Sequence, residues 1–287
     1  MSDDYRPMSW PTAPPASDSP GKVLRFRSIW ISDIHLGTHG CQAEWLLDFL
    51  KHTESEYLYL VGDIVDGWQL KKRWFWPQTH NDVIQKILRR ARHGAQVFFI
   101  PGNHDEAARP FCGLHFGGVF VTNEVVHETL AGKRLLILHG DQFDAVMGNA
   151  RWLAHLGDAA YGFALGLNTV FNAARRMFGF PYWSLSAYLK HKVKNAVEHI
   201  STFENFIAES ARKHQVDGVV CGHIHTAQMR SVGDVLYCND GDWVESCTAL
   251  VEDLQGQLSL IYWTREREKL LGGIEATDAI KSGMVAA

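Results

Sequence analysis

Short apolar runs that stop abruptly on polar, glycine-bearing clusters constrain this chain more than any other feature. Arg27-Ser-Ile-Trp-Ile-Ser32 stops at Asp33-Ile-His35, and Tyr57-Leu-Tyr-Leu-Val61 stops at Gly62-Asp63-Ile-Val-Asp66. Gln96-Val-Phe-Phe-Ile100 stops at Pro101-Gly102-Asn103-His104-Asp105. Runs of this length and composition predict buried strands. Between them, residues 44–51 carry Trp45, Leu46, Phe49 and Leu50 at helical spacing. Asn81 is placed to cap a second helix, with Val83, Ile84, Ile87, Leu88 and Ala91 on one face and Gly94 at its end. Repeated strand–helix–strand units imply a parallel sheet with right-handed crossovers and helices over its faces.

The pattern changes after residue 119. Val119-Phe-Val121, residues 125–130 and residues 134–138 are joined by short Thr-Asn and Ala-Gly-Lys connections and predict an antiparallel meander. Residues 143–214 read as helical. Leu189, Val193, Ala196, Ile200, Phe203 and Ile207 recur there every three or four residues, forming one buried stripe. Strand signals return at 218–221, 235–237, 248–251 and 257–262. The reading is an α/β (α+β) chain of two halves, the first feeding a mostly parallel sheet and the second a mixed or antiparallel one. The sheets pack face to face with helices outside. It divides into a disordered, proline-rich leader over 1–24, a domain over 25–264 with a helical insertion at about 145–214, and a flexible tail over 265–287.

Composition excludes several classes. The 287 residues are 46% hydrophobic and 21% charged, as in an ordinary globular enzyme, and the net charge of −4 gives no basis for general nucleic-acid binding. Five scattered cysteines without a C-x-x-C pair make a poor disulfide framework and imply a reducing compartment. No apolar run reaches the roughly 18 residues of a membrane span, and the leader lacks the apolar core of a secretory signal. The expected location is therefore cytoplasmic.

The chemistry lies in the polar clusters. His139-Gly-Asp141 and Gly222-His223-Ile-His225 join the first three, so that five clusters each follow a predicted strand. Ligands in open α/β sheets bind just beyond the carboxyl ends of strands, so these clusters can converge. In an extended segment, residues two apart face the same side, which would let both members of Asp33-x-His35, and of His223-x-His225, reach one centre. Carboxylates, imidazoles and one side-chain amide, without thiolate, suit Mn2+, Fe or Zn2+ better than an all-oxygen Mg2+ or Ca2+ site. Each cluster alone is compatible with an ordinary turn or helix cap.

In order, D-x-H, G-D-x-x-D, G-N-H-D, H-G-D and G-H-x-H resemble the calcineurin-like metallophosphoesterases over about residues 29–263. The resemblance implies a four-layer αββα sandwich with a helical lid insertion and a pair of divalent metal ions, Mn2+ first among them. It implies one ion held by Asp33, His35, Asp63 and His225, with Asp63 bridging to a second held by Asn103, His139 and His223. His104 would be the catalytic histidine, and Asp105 would orient it or cap the helix that follows.

Three further features resemble the UDP-2,3-diacylglucosamine diphosphatases of lipid A biosynthesis and their paralogues. They are Trp68 directly after Gly62-Asp-Ile-Val-Asp-Gly67, the helical insertion, and Gly241-Asp242-Trp243. This resemblance implies a lipid-linked nucleotide-sugar diphosphate as substrate, met at the cytoplasmic face of the inner membrane. Trp68, Arg175, Lys190 and Lys194 are the candidate substrate contacts, since an apolar surface rimmed by cations suits a headgroup boundary. A solvated charged face is the plainer alternative. The diphosphatases usually carry Arg where His104 stands, so a paralogue with another leaving group is also open. The remaining alternatives are a nucleotide phosphodiesterase or phosphomonoesterase, and a non-catalytic scaffold of the same fold.

Overall fold

The computed structural model describes residues 23–144 and 203–272. In chain order the first part contains β1 (Leu24–Ile31), α1 (Ala43–His52), β2 (Thr53–Val61), α2 (Gly67–Lys72), α3 (Gln78–Arg92) and β3 (Gln96–Ile100). A 3-10 turn (Glu106–Phe111), β4 (His115–Phe116), β5 (Val119–Val121), β6 (Val125–Glu128) and β7 (Arg134–Ile137) follow. After a helix over 203–213 come β8 (Gly218–Cys221), β9 (Gln228–Val232), β10 (Val235–Asn239), β11 (Thr248–Glu252) and β12 (Leu258–Tyr262).

Alternation along β1 sets the layers. Ile29 and Ile31 are fully buried against the helix side, with Leu46 and Phe49 of α1 and Val83 and Ile87 of α3. Trp30 points the other way, into a core shared with Tyr59, Ile137, Val220 and Cys238 from both sheets. A third core joins Leu136, Val219 and Tyr237 to Phe203, Ile207 and Ala211 of the helix over 203–213. Three apolar seams therefore separate four layers, helix–sheet–sheet–helix. Fully burying one such aliphatic or aromatic side chain contributes about 1.5–3 kcal/mol.

The seven-stranded sheet has the order β12-β11-β1-β2-β3-β5-β4, and the five-stranded sheet has the order β6-β7-β8-β10-β9. β1, β2, β3 and β5 run parallel, as do β7, β8 and β10. Two readings from the sequence are corrected here. Residues 119–138 are no meander, because β5 pairs parallel to β3 in one sheet while β6 and β7 form a hairpin in the other. The sheets also do not divide by halves, since β11 returns to pair with β1. All five residues of β11 are buried, which requires cover on both faces: Ala249 and Val251 join the helix-side core and Leu250 the core between the sheets.

Two helix boundaries also differ from expectation. α3 begins at Gln78 behind Pro77, not at Asn81, with Gln78 donating to Asp82 one turn on. Proline presets an extended N-cap geometry, so the helix starts without a side-chain cap. Residues 263–272, largely read as tail, form a helix. Trp263 is fully buried, its indole donates to Asp48 Oδ2 (2.8 Å), and Arg267 grips both oxygens of the same carboxylate. The leader and most of the expected lid and tail lie outside the described residues.

Candidate metal centre

The exits of β1 and β2 stay zipped together beyond the strands. Asp33 N donates to Gly62 O (3.0 Å), His35 N to Asp63 O (2.9 Å) and Leu36 N to Ile64 O (2.9 Å). From β3, the His104 backbone N–H donates to Asp63 Oδ1 (2.8 Å). From β8, the His223 backbone N–H donates to Asp33 Oδ2 (2.8 Å). Four strand exits thus converge, two through backbone–backbone hydrogen bonds and two through backbone N–H groups donating to the Asp33 and Asp63 carboxylates.

The expected alternation is not how the paired residues meet. Asp33 and His35 have φ of 48° and 54°, and His223 and His225 have φ of 72° and 53°, so both segments are left-handed instead of extended. Seven non-glycine residues have positive φ among the described residues, and five are Asp33, His35, Asp63, His223 and His225. Such backbone costs roughly 1–3 kcal/mol per residue and persists where the surroundings over-determine it, commonly at functional sites.

Three candidate ligand groups result: Asp33, His35 and His225; His35, Asp63 and His104; and Asp33, Asp63 and His139. His225 Nε2 lies 3.2 Å from Asp33 Oδ1, His35 Nε2 3.9 Å from Asp63 Oδ2, and His139 Nε2 3.5 Å from the same Asp63 oxygen. Space for this is made by glycine. A Cβ on Gly102 would stand 2.3 Å from Asp63 Oδ1 and 2.7 Å from His139 Nε2, and one on Gly62 would stand 2.4 Å from the His139 ring. Neither position tolerates a side chain without displacing the cluster.

The residues present fit a cation. Asn103 Oδ1, His35 Nε2 and both ring nitrogens of His139 are buried without a hydrogen-bond partner among the described residues. An orphaned buried polar atom costs about 1–3 kcal/mol, which a metal ion would offset. Electrostatics agree. Burial, then the carboxylates of Asp33 and Asp105, push Asp63 up to about 9. Burial would also raise Asp33, yet contact with His225 outweighs it and holds Asp33 well below the usual carboxylate range. Burial would lower His225, but Asp33 pushes it up to about 9; His139 is pushed down to about 3, chiefly by burial. Asp63 keeps its proton and His225 carries one beside the ionised Asp33, so protons supply the positive charge that these buried carboxylates demand.

The His223 ring lies 5.1 Å from that of His139, but its Nε2 contacts Asp144 Oδ1 (2.8 Å), so it stands outside the three groups. His104 packs at a tilt against Trp68 with ring centroids 4.2 Å apart, and its Nε2 is 3.9 Å from Asp63 Oδ2. Asp105 neither orients His104 nor caps the following turn with its side chain. Its Oδ2 accepts from the Ile64 backbone N–H (2.7 Å) and its Oδ1 from the Gly102 backbone N–H (2.6 Å). The β2 and β3 exits offer it three backbone donors, Ile64, Val65 and Gly102, where the imidazole would offer one. The residue that contacts His104 is Asp66, whose Oδ2 lies 2.9 Å from His104 Nδ1 and 3.0 Å from His35 Nδ1. These two histidines hold the Asp66 carboxyl well below its usual range although burial alone would raise it. Asp66 was legible as the second acid of G-D-x-x-D, though without a role. Arg175, Lys190 and Lys194 lie outside the described residues.

A family model described as calcineurin-like phosphoesterase matches residues 26–227. A protein named UDP-2,3-diacylglucosamine hydrolase from Xanthomonas campestris pv. campestris (strain B100) is 31% identical over 118 residues, covering 40% of this chain and 46% of that one. Its namesake from Photorhabdus laumondii subsp. laumondii is 31% identical over 117 residues, covering 40% and 48%. This chain therefore spans less than half the length of these curated relatives. Among solved structures, the phosphoesterase YfcE from E. coli aligns with a TM-score of 0.41 at 14% identity, covering 82% of this chain and 98% of that one. The matched family segment runs from β1 through His225 and so contains all seven expected ligands: the chain belongs to the calcineurin-like phosphoesterase family.

Proposed function

We propose that this protein is a binuclear metal-dependent hydrolase that cleaves a phosphoester or diphosphate bond, with a lipid-linked nucleotide sugar such as UDP-2,3-diacylglucosamine as substrate. The observation that carries the reading is the convergence of Asp33, His35, Asp63, His139 and His225 from separate strand exits, with orphaned buried lone pairs among them. Asp33, His35, Asp63 and His225 would hold one ion; Asp63, Asn103, His139 and His223 would hold the other, with Mn2+ first and Fe or Zn2+ as alternatives. A pair of divalent ions so held supplies an acidified water and neutralises charge on the phosphoryl oxygens.

The chain's own residues do the rest. Asp66, whose Oδ2 lies 2.9 Å from His104 Nδ1, would hold the ring with Nε2 on the Asp63 side, 3.9 Å from Oδ2. From there Nε2 can donate a proton to the leaving oxygen, a role worth about 10²–10⁴-fold. Trp68, its ring packed at a tilt against that of His104, would present an apolar wall beside the proposed acid. The names of the partial relatives support the acylated substrate. No helix of the described residues is long and apolar enough to cross a membrane; peripheral contact with the membrane surface is part of the same proposal. His104, where an arginine would act only as a fixed cation, favours the second reading, a nucleotide phosphodiesterase or phosphomonoesterase.

Turnover with Mn2+ on UDP-2,3-diacylglucosamine, simple nucleotide diphosphates and an aryl phosphodiester tests this directly. The expected result is hydrolysis whose rate depends on the acyl chains. A rate indifferent to acylation would refute the lipid substrate, and no hydrolysis of any of them would refute the enzyme.

A further inference from the structure

The Gly241-Asp242-Trp243 motif has no part in the reading above, yet the loop that carries it packs beneath the first ligand. Trp243 N donates to Asp33 O (3.0 Å), Asn239 Nδ2 donates to Gly222 O, and Thr248 Oγ1 donates to Asp240 O (2.8 Å). Within this frame Ser32 Oγ lies 2.6 Å from Asp33 Oδ2, 2.6 Å from Asp240 Oδ1 and 3.0 Å from Gly241 O. Ser32, Asp33 and Asp240 are all fully buried, and Asp240 Oδ2 has no hydrogen-bond partner among the described residues.

A proton count decides what this arrangement is. A serine hydroxyl has one hydrogen and can accept from others, whereas an ionised carboxylate can only accept. One hydrogen cannot bridge both short contacts, so a second must sit on Asp240 or on Asp33; Asp33 Oδ2 already accepts from the His223 N–H, which places the extra proton on Asp240. We infer that Asp240 is a buried neutral carboxylic acid and a positioning residue: its Oδ1–H donates to Ser32 Oγ, whose own hydrogen goes to Asp33 Oδ2. Together with the His223 N–H, this relay occupies Oδ2 and leaves only Oδ1 of Asp33, the atom beside His225 and His35, to meet a cation. Burial also raises the Asp240 carboxyl well above its usual range, in the same direction. The inference rests on the proposed metal centre and adds a relay that decides which Asp33 oxygen it receives.

The test is Mn2+ titration of the metal-stripped full-length protein, read by the electron paramagnetic resonance signal of the free ion, which yields stoichiometry and affinity without turnover. Removing a partner that orients a ligand typically weakens metal binding by about 10–100-fold. Asp240→Ala and Ser32→Ala are each expected to weaken one of two sites by that amount. Asp240→Asn keeps an N–H donor toward Ser32 and should stay within about threefold of the unmodified protein. Ser32→Ala removes only a hydroxyl, and so still reports if Asp240→Ala does not fold. Asn and Ala variants that are equally weak would overturn the neutral-acid assignment, as would an Asp240→Ala protein with both sites intact. No Mn2+ uptake by the unmodified protein would instead overturn the metal centre itself, and this inference with it.

Discussion

The His35 and His104 rings meet edge to face, with centroids 4.7 Å apart and Nδ1 of each beside the same Asp66 oxygen. One carboxylate therefore orients both a proposed metal ligand and the proposed acid. Replacing His104 with Ala removes only the second role, so Mn2+ uptake should persist while kcat falls about 10²–10⁴-fold. Normal turnover in the metal-loaded variant would remove the role. Gly102 allows a purely steric test. In Gly102→Ala the new methyl meets the Asp63 carboxylate and the His139 ring. Overpacking of this kind costs about 1–3 kcal/mol, so the variant should melt earlier and bind Mn2+ more weakly, measured by calorimetry and metal titration. A variant that matches the unmodified protein in both would mean the cluster is looser than its distances imply.

Among the elements, the helix over 263–272 contributes most beyond the expected framework. Its Arg267 and Trp263 both end on Asp48 of α1, a carboxylate 6% exposed, closing the larger sheet's outer layer. Breaking a buried ion pair from one side leaves an uncompensated charge and costs about 3–5 kcal/mol. Arg267→Ala should therefore lower the unfolding free energy by that order in urea titration, without changing the number of Mn2+ ions bound. A change below about 1 kcal/mol would show the helix to be dispensable. Other elements were legible in outline. β1, β2 and β3 lie on the predicted apolar runs because uninterrupted burial leaves them few alternatives. β11 was legible as a strand, but not its partner, because pairing across more than two hundred residues leaves no local trace.

For the whole molecule, the centre ties stability to pH and metal. Asp63 binds its proton more tightly folded, at about 9, than a free carboxyl near 3.8, so its contribution falls as pH rises toward 9. His225, raised from 6.5 to about 9, favours the folded state below 6.5 and loses that advantage over the same window. The metal-stripped protein should thus lose melting temperature between pH 6.5 and 9. Saturating Mn2+ should raise the melting temperature by mass action and flatten the dependence, since the cation replaces those protons. Parallel pH slopes with and without Mn2+ would count against a cation between these carboxylates.

Local chemistry and spacing were enough to mark the strand exits, the order of the five polar clusters and the residue types suited to a metal. Those properties are written in short stretches of chain. The tertiary structure alone decided that Asp33, His35 and His225 meet through left-handed backbone while the His223 ring stands aside, that Asp105 braces loops while Asp66 lies against His104, and that Asp240 lies beneath Asp33. Each of these depends on distances of a few ångströms between segments far apart in sequence, and such distances arise only when the sheets close.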